Sequence, residues 1–276
     1  MRAFGRIALL LAALAASAVL AGCGASSDLT LPGIVVHWPD EFDSLATRSQ
    51  PAGAVTASNV PGNVSLLATF EVSGLRSAFG LFTDGLFFVD AGTVQVRAHA
   101  PIGGASVQKT LDKLSMLVGA SPWYLYTSLP SNPLGVNLAF DGTEHHVFSV
   151  SGSGSVAAFT DSVRSVAHPA VTAPANGAAV SRAADLAVSW SDAGSDTTVY
   201  VRALLASQVD SSKVAFSELV RDVAGTTTVP ASWLAVLPAG SARLSVARWR
   251  VAYHGTGTSR TALVCETVEL RTLTLN

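Results

Sequence analysis

Lysine is almost missing from this chain. Of 276 residues only those at 109, 113 and 213 are lysine, and charged residues of all kinds make up 13%. Seventeen basic side chains face nineteen acidic ones, so there is no excess of positive charge. Nucleic-acid binding rests on Lys and Arg clustered at phosphates, which argues against that class and against a polybasic membrane-surface patch. Long helical periodicity is scarce. No Gly-x-Ser-x-Gly elbow, phosphate loop, dinucleotide fingerprint or His-Glu-x-x-His occurs, which lowers the case for an enzyme. Triads built from distant residues leave no such trace. Cysteine occurs twice, at Cys23 and Cys265.

What is present begins with the first thirty residues. Arg2 and Arg6 are the only early charges, and an apolar run rich in Leu and Ala extends from Ile7 to Gly22. A positive segment followed by a short apolar one is the layout of a signal peptide. A membrane-spanning helix needs about 20 apolar residues; this run is shorter and ends in small residues. Those residues, Leu20-Ala21-Gly22-Cys23, resemble the bacterial lipobox. The resemblance implies that residues 1–22 are removed, that the Cys23 thiol carries diacylglycerol, and that the new amino terminus is N-acylated. No other cofactor is expected. Each buried CH₂ contributes roughly 0.8 kcal/mol, so several acyl chains hold a protein on a membrane where one does not. In that family an Asp after the cysteine favours the inner membrane; Gly24 implies the outer membrane of the cell envelope. Cleavage takes Arg2 and Arg6 and no acidic residue, leaving fifteen basic against nineteen acidic and a net charge near −4. Residues 23–32 read as a tether, and Gly24 to Leu31 reach at most about 30 Å.

With Cys23 in lipid, Cys265 has no disulfide partner, and stability must come from packing. Leu263-Val264-Cys265-Glu266 looks like a strand, and a buried structural cysteine fits it. A reactive thiol would need a His or cation beside it to lower its pKa.

The mature region reads as strands and turns, all-β, in two consecutive β-sandwich domains over 33–165 and 166–276. Val64, Leu66, Ala68, Phe70 and Val72 alternate with mostly polar neighbours, which is the period of a half-buried strand. Leu86 to Val89, Asp90-Ala91-Gly92 and Thr93 to Arg97 look like a hairpin. Trp123 to Tyr126 is strand-like. Val136 to Phe140, Asp141-Gly142 and Thr143 to Val150 carry the sharpest hairpin signal, since Asp-Gly suits a type I′ turn. Val156 to Val163 follows as a strand. Pro169, Pro174 and Asn176-Gly177 mark a boundary. Beyond it Leu186-Val188-Trp190 and Val199-Val201-Ala203-Leu205 alternate again. Leu244 and Val246 have the opposite parity to Trp249, Val251 and Tyr253, which predicts a β-bulge near Ala247 or Arg248. Val214 to Val220 fits a strand better than a helix. Ser232 to Leu237 reads as a helical turn before Pro238, and Thr261 to Leu275 as the last strand or pair of strands.

Ala173-Pro174-Ala175-Asn176-Gly177, Leu186-Ala187-Val188-Ser189-Trp190, Thr228-Val229-Pro230, Leu234 and Leu237-Pro238-Ala239-Gly240 give residues 173–276 a resemblance to immunoglobulin-like or fibronectin type III-like sandwiches. The resemblance implies that the Trp packs between two sheets and that the Pro-Ala-Gly turn leads into a late strand. Such folds host many roles.

Candidate chemistry is sparse. Ser106-Val107-Gln108-Lys109 matches Ser-x-x-Lys, but the Ser-Asp-Asn and Lys-Thr-Gly that complete that signature are missing. Glu144-His145-His146 collects metal-ligating types, yet adjacent strand residues point to opposite faces, and no metal site is expected. Asp40, Glu41 and Asp43 beside Trp38, and Asp192 and Asp196 around Gly194, offer oxygens of the kind calcium takes, without a known loop spacing. Trp123, Tyr124, Tyr126, Trp233 and Trp249, with Arg248 and Arg250, are the candidates for a binding surface, since aromatic and Arg side chains anchor interfaces. The expected protein is a membrane-anchored, non-catalytic envelope module. Its partners are the membrane, through lipid, and an envelope protein or glycan; nucleic acid is not among them. The alternatives are an envelope hydrolase with a dispersed site and a small-ligand carrier with a cavity in 33–165.

Overall fold

The computed structural model describes residues 29–31, 34–36, 53–60, 63–70, 89–99, 104–118, 121–128, 137–154, 156–255 and 261–276. Residues 1–28, Cys23 among them, lie outside the described residues. Met1–Gln50 and Pro51–Asn276 are separate compact units. In the first, β1 (Leu29–Leu31) and β2 (Ile34–Val36) pair antiparallel, with Leu29 opposite Val36.

The second unit is an all-β sandwich protein of two lobes. Lobe 1 contains β3 (Gly53–Val60), β4 (Asn63–Phe70), β5 (Val94–His99), β6 (Ser106–Thr110), β7 (Asp112–Val118), β8 (Ser121–Thr127), β9 (His145–Val150) and β10 (Phe159–Arg164). Lobe 2 contains β11 (Val171–Ala173), β12 (Ala179–Val180), β13 (Leu186–Trp190), β14 (Val199–Ser207), β15 (Val214–Phe216), β16 (Val220–Arg221) and β17 (Thr226–Val229). One helical turn, α1 (Ala231–Leu234), then leads to the long hairpin of β18 (Gly240–His254) and β19 (Thr261–Leu275).

Strand alternation builds both cores. In β14 the side chains of Val199, Val201, Ala203 and Leu205 are buried and those between them only partly; in β13 Leu186, Val188 and Trp190 turn inward while Ala187 faces out. In lobe 2 the sheet β11-β13-β17 packs on β15-β14-β18-β19. Trp190, Leu205, Leu244 and Leu273 fill the space between them. In lobe 1 the sheet β10-β9-β5-β6 packs on β3-β4-β8-β7, over Phe70, Tyr126, Phe148 and Phe159.

The two lobes share the C-terminal hairpin. The second half of β19 carries Leu273 and Leu275 into the lobe 2 core. Its first half pairs in parallel with β3, from Thr261 opposite Gly53 to Thr267 opposite Asn59, and puts Leu263 and Cys265 into the lobe 1 core. One ten-stranded sheet therefore runs through both lobes. The C-terminal hairpin thus contributes to both cores.

Three local expectations are corrected. No bulge interrupts β18: its register with β14 and with β19 is unbroken through Ala247 and Arg248. The change of parity arises because Ser245, Ala247 and Trp249 are buried on one face of the strand while Leu244 and Val246 are buried on the other. Residues 137–140 form no strand opposite β9; β9 lies between β10 and β5. Asp141 instead closes an Asx turn, its Oδ1 accepting from the Thr143 and Glu144 N–H groups at 2.8 and 2.9 Å, and Gly142 takes φ +82°. Both edges of β5 are occupied, by β6 and β9, and Val89 donates its N–H to Phe70 O at 2.7 Å; residues 86–88 of the expected hairpin lie outside the described residues. The strand reading of 214–220 holds, broken into β15 and β16.

Candidate binding surface

The aromatic residues singled out from the sequence do not form one surface. Tyr126 is buried. Its hydroxyl donates to Asp90 Oδ1 at 2.8 Å and accepts from the Ala91 N–H at 2.7 Å. Burial and the adjacent Asp90 carboxylate push its pKa well up. Trp249 is buried too, its indole N–H donating to the buried Glu266 Oε1 at 2.9 Å. Neither offers a ring to a ligand, so the binding role expected of them is withdrawn. Tyr124 is half-buried beneath the Lys113 ammonium, 5.5 Å from its ring centre. The Trp123 side chain lies outside the described residues.

The polar candidates are also absorbed by structure. Arg248 is buried and holds Asp192 with two parallel hydrogen bonds, Nη1 to Oδ2 at 2.8 Å and Nη2 to Oδ1 at 2.9 Å. Its Nε reaches Asp222 Oδ1 at 3.1 Å. Arg250 Nη2 lies 2.5 Å from Asp196 Oδ2. Burial pushes the Asp192 pKa up, but the Arg248 and Ala170 hydrogen bonds outweigh it and leave the group below the usual carboxylate range. Hydrogen bonds from Thr198 lower Asp196 against some burial, with Arg250 adding to the effect. The acids considered for calcium thus already face guanidinium groups. Asp40, Glu41 and Asp43 lie outside the described residues.

Glu144-His145-His146 splits as adjacent strand residues must. His145 is exposed, Glu144 meets His99 at 3.1 Å, and His146 is buried. Among the described residues no three metal-ligating side chains converge. His146 Nε2 lies 2.8 Å from the Ala139 carbonyl, which can only accept, so Nε2 carries the proton and Nδ1 accepts from the Cys265 thiol at 3.1 Å. Sequence reasoning had no means of placing this pair, which is 119 residues apart. The thiol is fully buried, and burial drives its pKa far up despite nearby Arg250. The arrangement is a neutral core hydrogen bond, the opposite of an activated nucleophile. Ser106 and Lys109 lie on β6, an edge strand of its sheet. Three positions apart on a strand, they point to opposite faces.

What remains exposed collects at one end of lobe 2. Among the described residues, four large apolar side chains are half or more exposed, and three of them, Val209 (63%), Trp233 (50%) and Val236 (57%), belong to that end. The chain order explains why. The loop after β14 carries Val209 and is tied to the start of β18 by the Gln208 N–H donating to Ser241 O. Trp233 lies on α1 and Val236 in the turn that follows, just before β18 begins at Gly240. Leu234 and Leu237 of the same segment are buried, so this one turn must present its other side chains outward. Trp233 meets Phe216 edge-on at 6.2 Å, and the Arg202 guanidinium lies 4.7 Å over Phe216. Trp233 is the one aromatic of the sequence-derived set that the structure leaves broadly exposed among those it describes.

The strand pairings define the chain as an all-β sandwich protein. No protein-family model matches it, and no curated protein does. Among solved structures it is similar to the FN1–FN3 domains of chicken CNTN1, with a TM-score of 0.23 and 10% sequence identity. That match covers 79% of this chain and 65% of the other, less than two thirds of its length.

Proposed function

We propose that this chain is a lipid-anchored, non-catalytic module of the bacterial envelope whose lobe 2 end docks a protein partner. The supporting observation is the group of Trp233, Val236 and Val209, outward-facing apolar side chains on connections held by a rigid sandwich. Exposed Trp is a frequent interface anchor, and two aliphatic neighbours suit a protein surface better than a sugar ring. Lobe 2 reads as an immunoglobulin-like or fibronectin type III-like sandwich, in keeping with its three strands packed on four and with Trp190 between the sheets. The anchor at Cys23 rests on Leu20-Ala21-Gly22-Cys23.

In-cell crosslinking followed by purification from detergent-solubilised envelope tests this reading. The expected result is one recurrent, near-stoichiometric protein with the wild type that is lost with Trp233→Ala, while the thermal midpoint stays within a few degrees. Absence of any recurrent protein with the wild type would sink the docking role.

A further inference from the structure

Five segments meet at the seam between the lobes. The connection 164–170 runs from β10 towards β11, the loop after β13 carries Asp192 and Asp196, the turn after β16 carries Asp222, and β18 and β19 supply Arg248, Arg250 and Thr267. Asp192 and Asp222 lie on the Arg248 guanidinium, and Asp196 lies on that of Arg250. Both guanidinium groups come from one strand. They lie on the same face of β18, two residues apart.

The hydrogen bonds show what the arginines do beyond neutralising charge. Arg248 Nη1 donates to the Ala167 and His168 carbonyls at 3.2 and 3.3 Å, and Arg250 Nη1 to the Ser165 carbonyl at 2.7 Å and the Arg164 carbonyl at 3.3 Å. Asp192 takes the Ala170 N–H at 2.8 Å, and Thr267 donates to Ala167 O at 2.9 Å. Asp222 accepts from Gly194 N–H at 2.8 Å, and its backbone carbonyl accepts from the Trp190 indole. The carbonyls of Arg164, Ser165, Ala167 and His168 and the Ala170 N–H are thus tied to β18, β19 or a loop that β18 holds.

We propose that Arg248 and Arg250 act as a resident lock on this seam, fixing lobe 2 against lobe 1 without any divalent cation. A guanidinium is planar, keeps its charge and presents a rigid fork, so Arg248 can engage Asp192, Asp222 and two carbonyls together. A lysine in its place has one compact ammonium and cannot span those partners. The lock holds the exposed end of lobe 2 at a fixed orientation relative to lobe 1.

The test uses the full chain and two readouts. Thermal midpoints are measured in millimolar CaCl₂ and in EDTA, and trypsin cleavage after Arg164 is followed in time. The wild type is expected to show the same midpoint in both solutions and slow cleavage. Arg248→Lys is expected to lose about 10 °C, as for a broken buried ion pair in a domain of this size, and to be cut after Arg164 at least tenfold faster. Should Arg248→Lys fail to fold, Asp192→Asn leaves Asp222 on the guanidinium and is expected to raise the cleavage rate alone. A wild-type midpoint several degrees higher in calcium would overturn the proposal. So would variants that leave cleavage at the wild-type rate.

Discussion

At Cys265 and His146 burial decides the chemistry. A thiol and an imidazole 3.1 Å apart would form a reactive couple at a surface. Here neither is exposed, so the charged forms of both are disfavoured. The folded protein is expected to leave Cys265 unmodified by a disulfide-exchange reagent such as DTNB, with one thiol appearing only on denaturation. Rapid labelling of the native chain would contradict that. Burial also lowers the pKa of His146 and of His168, against hydrogen bonds to Ala139 O and Val268 O that act in the other direction. The unfolded chain therefore takes up these protons first, near 6.5, while the folded chain does not. Stability rises with pH in that window and is lost as pH falls from about 7 towards 5. Thermal midpoints across this range should fall, and His168→Gln should flatten the slope. Below the ordinary carboxylate range a second loss is expected. Hydrogen bonds from the Glu144 and Thr143 N–H groups hold Asp141 down to about 2, and Asp90, Asp192 and Asp196 are lowered as well. The stability these groups contribute is present above 3.8 and disappears as they protonate. The alternation of residues showed that His145 and His146 must diverge. Only the fold could show that His146 meets Cys265.

At the scale of the element, the β18–β19 hairpin carries the architecture. Its residues 261–268 are buried throughout. A strand covered on both sides loses the two-residue rhythm that marks a half-buried one. This is why the apolar residues around Trp249 read as a bulge in a strand whose pairing is regular. It is also why Trp249, flanked by Arg248 and Arg250, looked exposed. Strands with one wet face were legible: β4, β13 and β14 appear where alternation put them. β6 and β7 were missed, since Ser106–Thr110 has one apolar residue, Val107, among polar ones and β7 follows it after a single residue, Leu111. Because β19 supplies Leu263 and Cys265 to lobe 1, Leu263→Ala should cost about 2–5 kcal/mol. A chain ending at residue 260 should lose the folded structure of both lobes. Circular dichroism and near-ultraviolet signals from the lobe 1 aromatics measure this; a folded lobe 1 in the truncated chain would contradict the shared-strand account.

For the molecule as a whole, sharing a sheet should merge two cores into one cooperative transition. Calorimetry of the full chain is expected to give a single peak with equal calorimetric and van't Hoff enthalpies, whereas separate peaks would mean that the lobes unfold independently. The proposed anchoring is a separate matter and rests on Leu20-Ala21-Gly22-Cys23. Wild type should fractionate with the outer membrane and Cys23→Ala with the soluble fraction; an unchanged distribution would remove the lipid anchor.

The sequence by itself determined the strand-rich class, the helical turn before Pro238 and the burial of Trp190. These follow from local propensity and from which face of a strand meets water. The tertiary structure alone decided that β3 joins β19, that Tyr126 and Trp249 are core while Trp233 is surface, and that Asp192 and Asp196 face arginines. Each of those depends on residues tens of positions apart, and the side-chain period within one strand carries no information about which distant strand lies beside it.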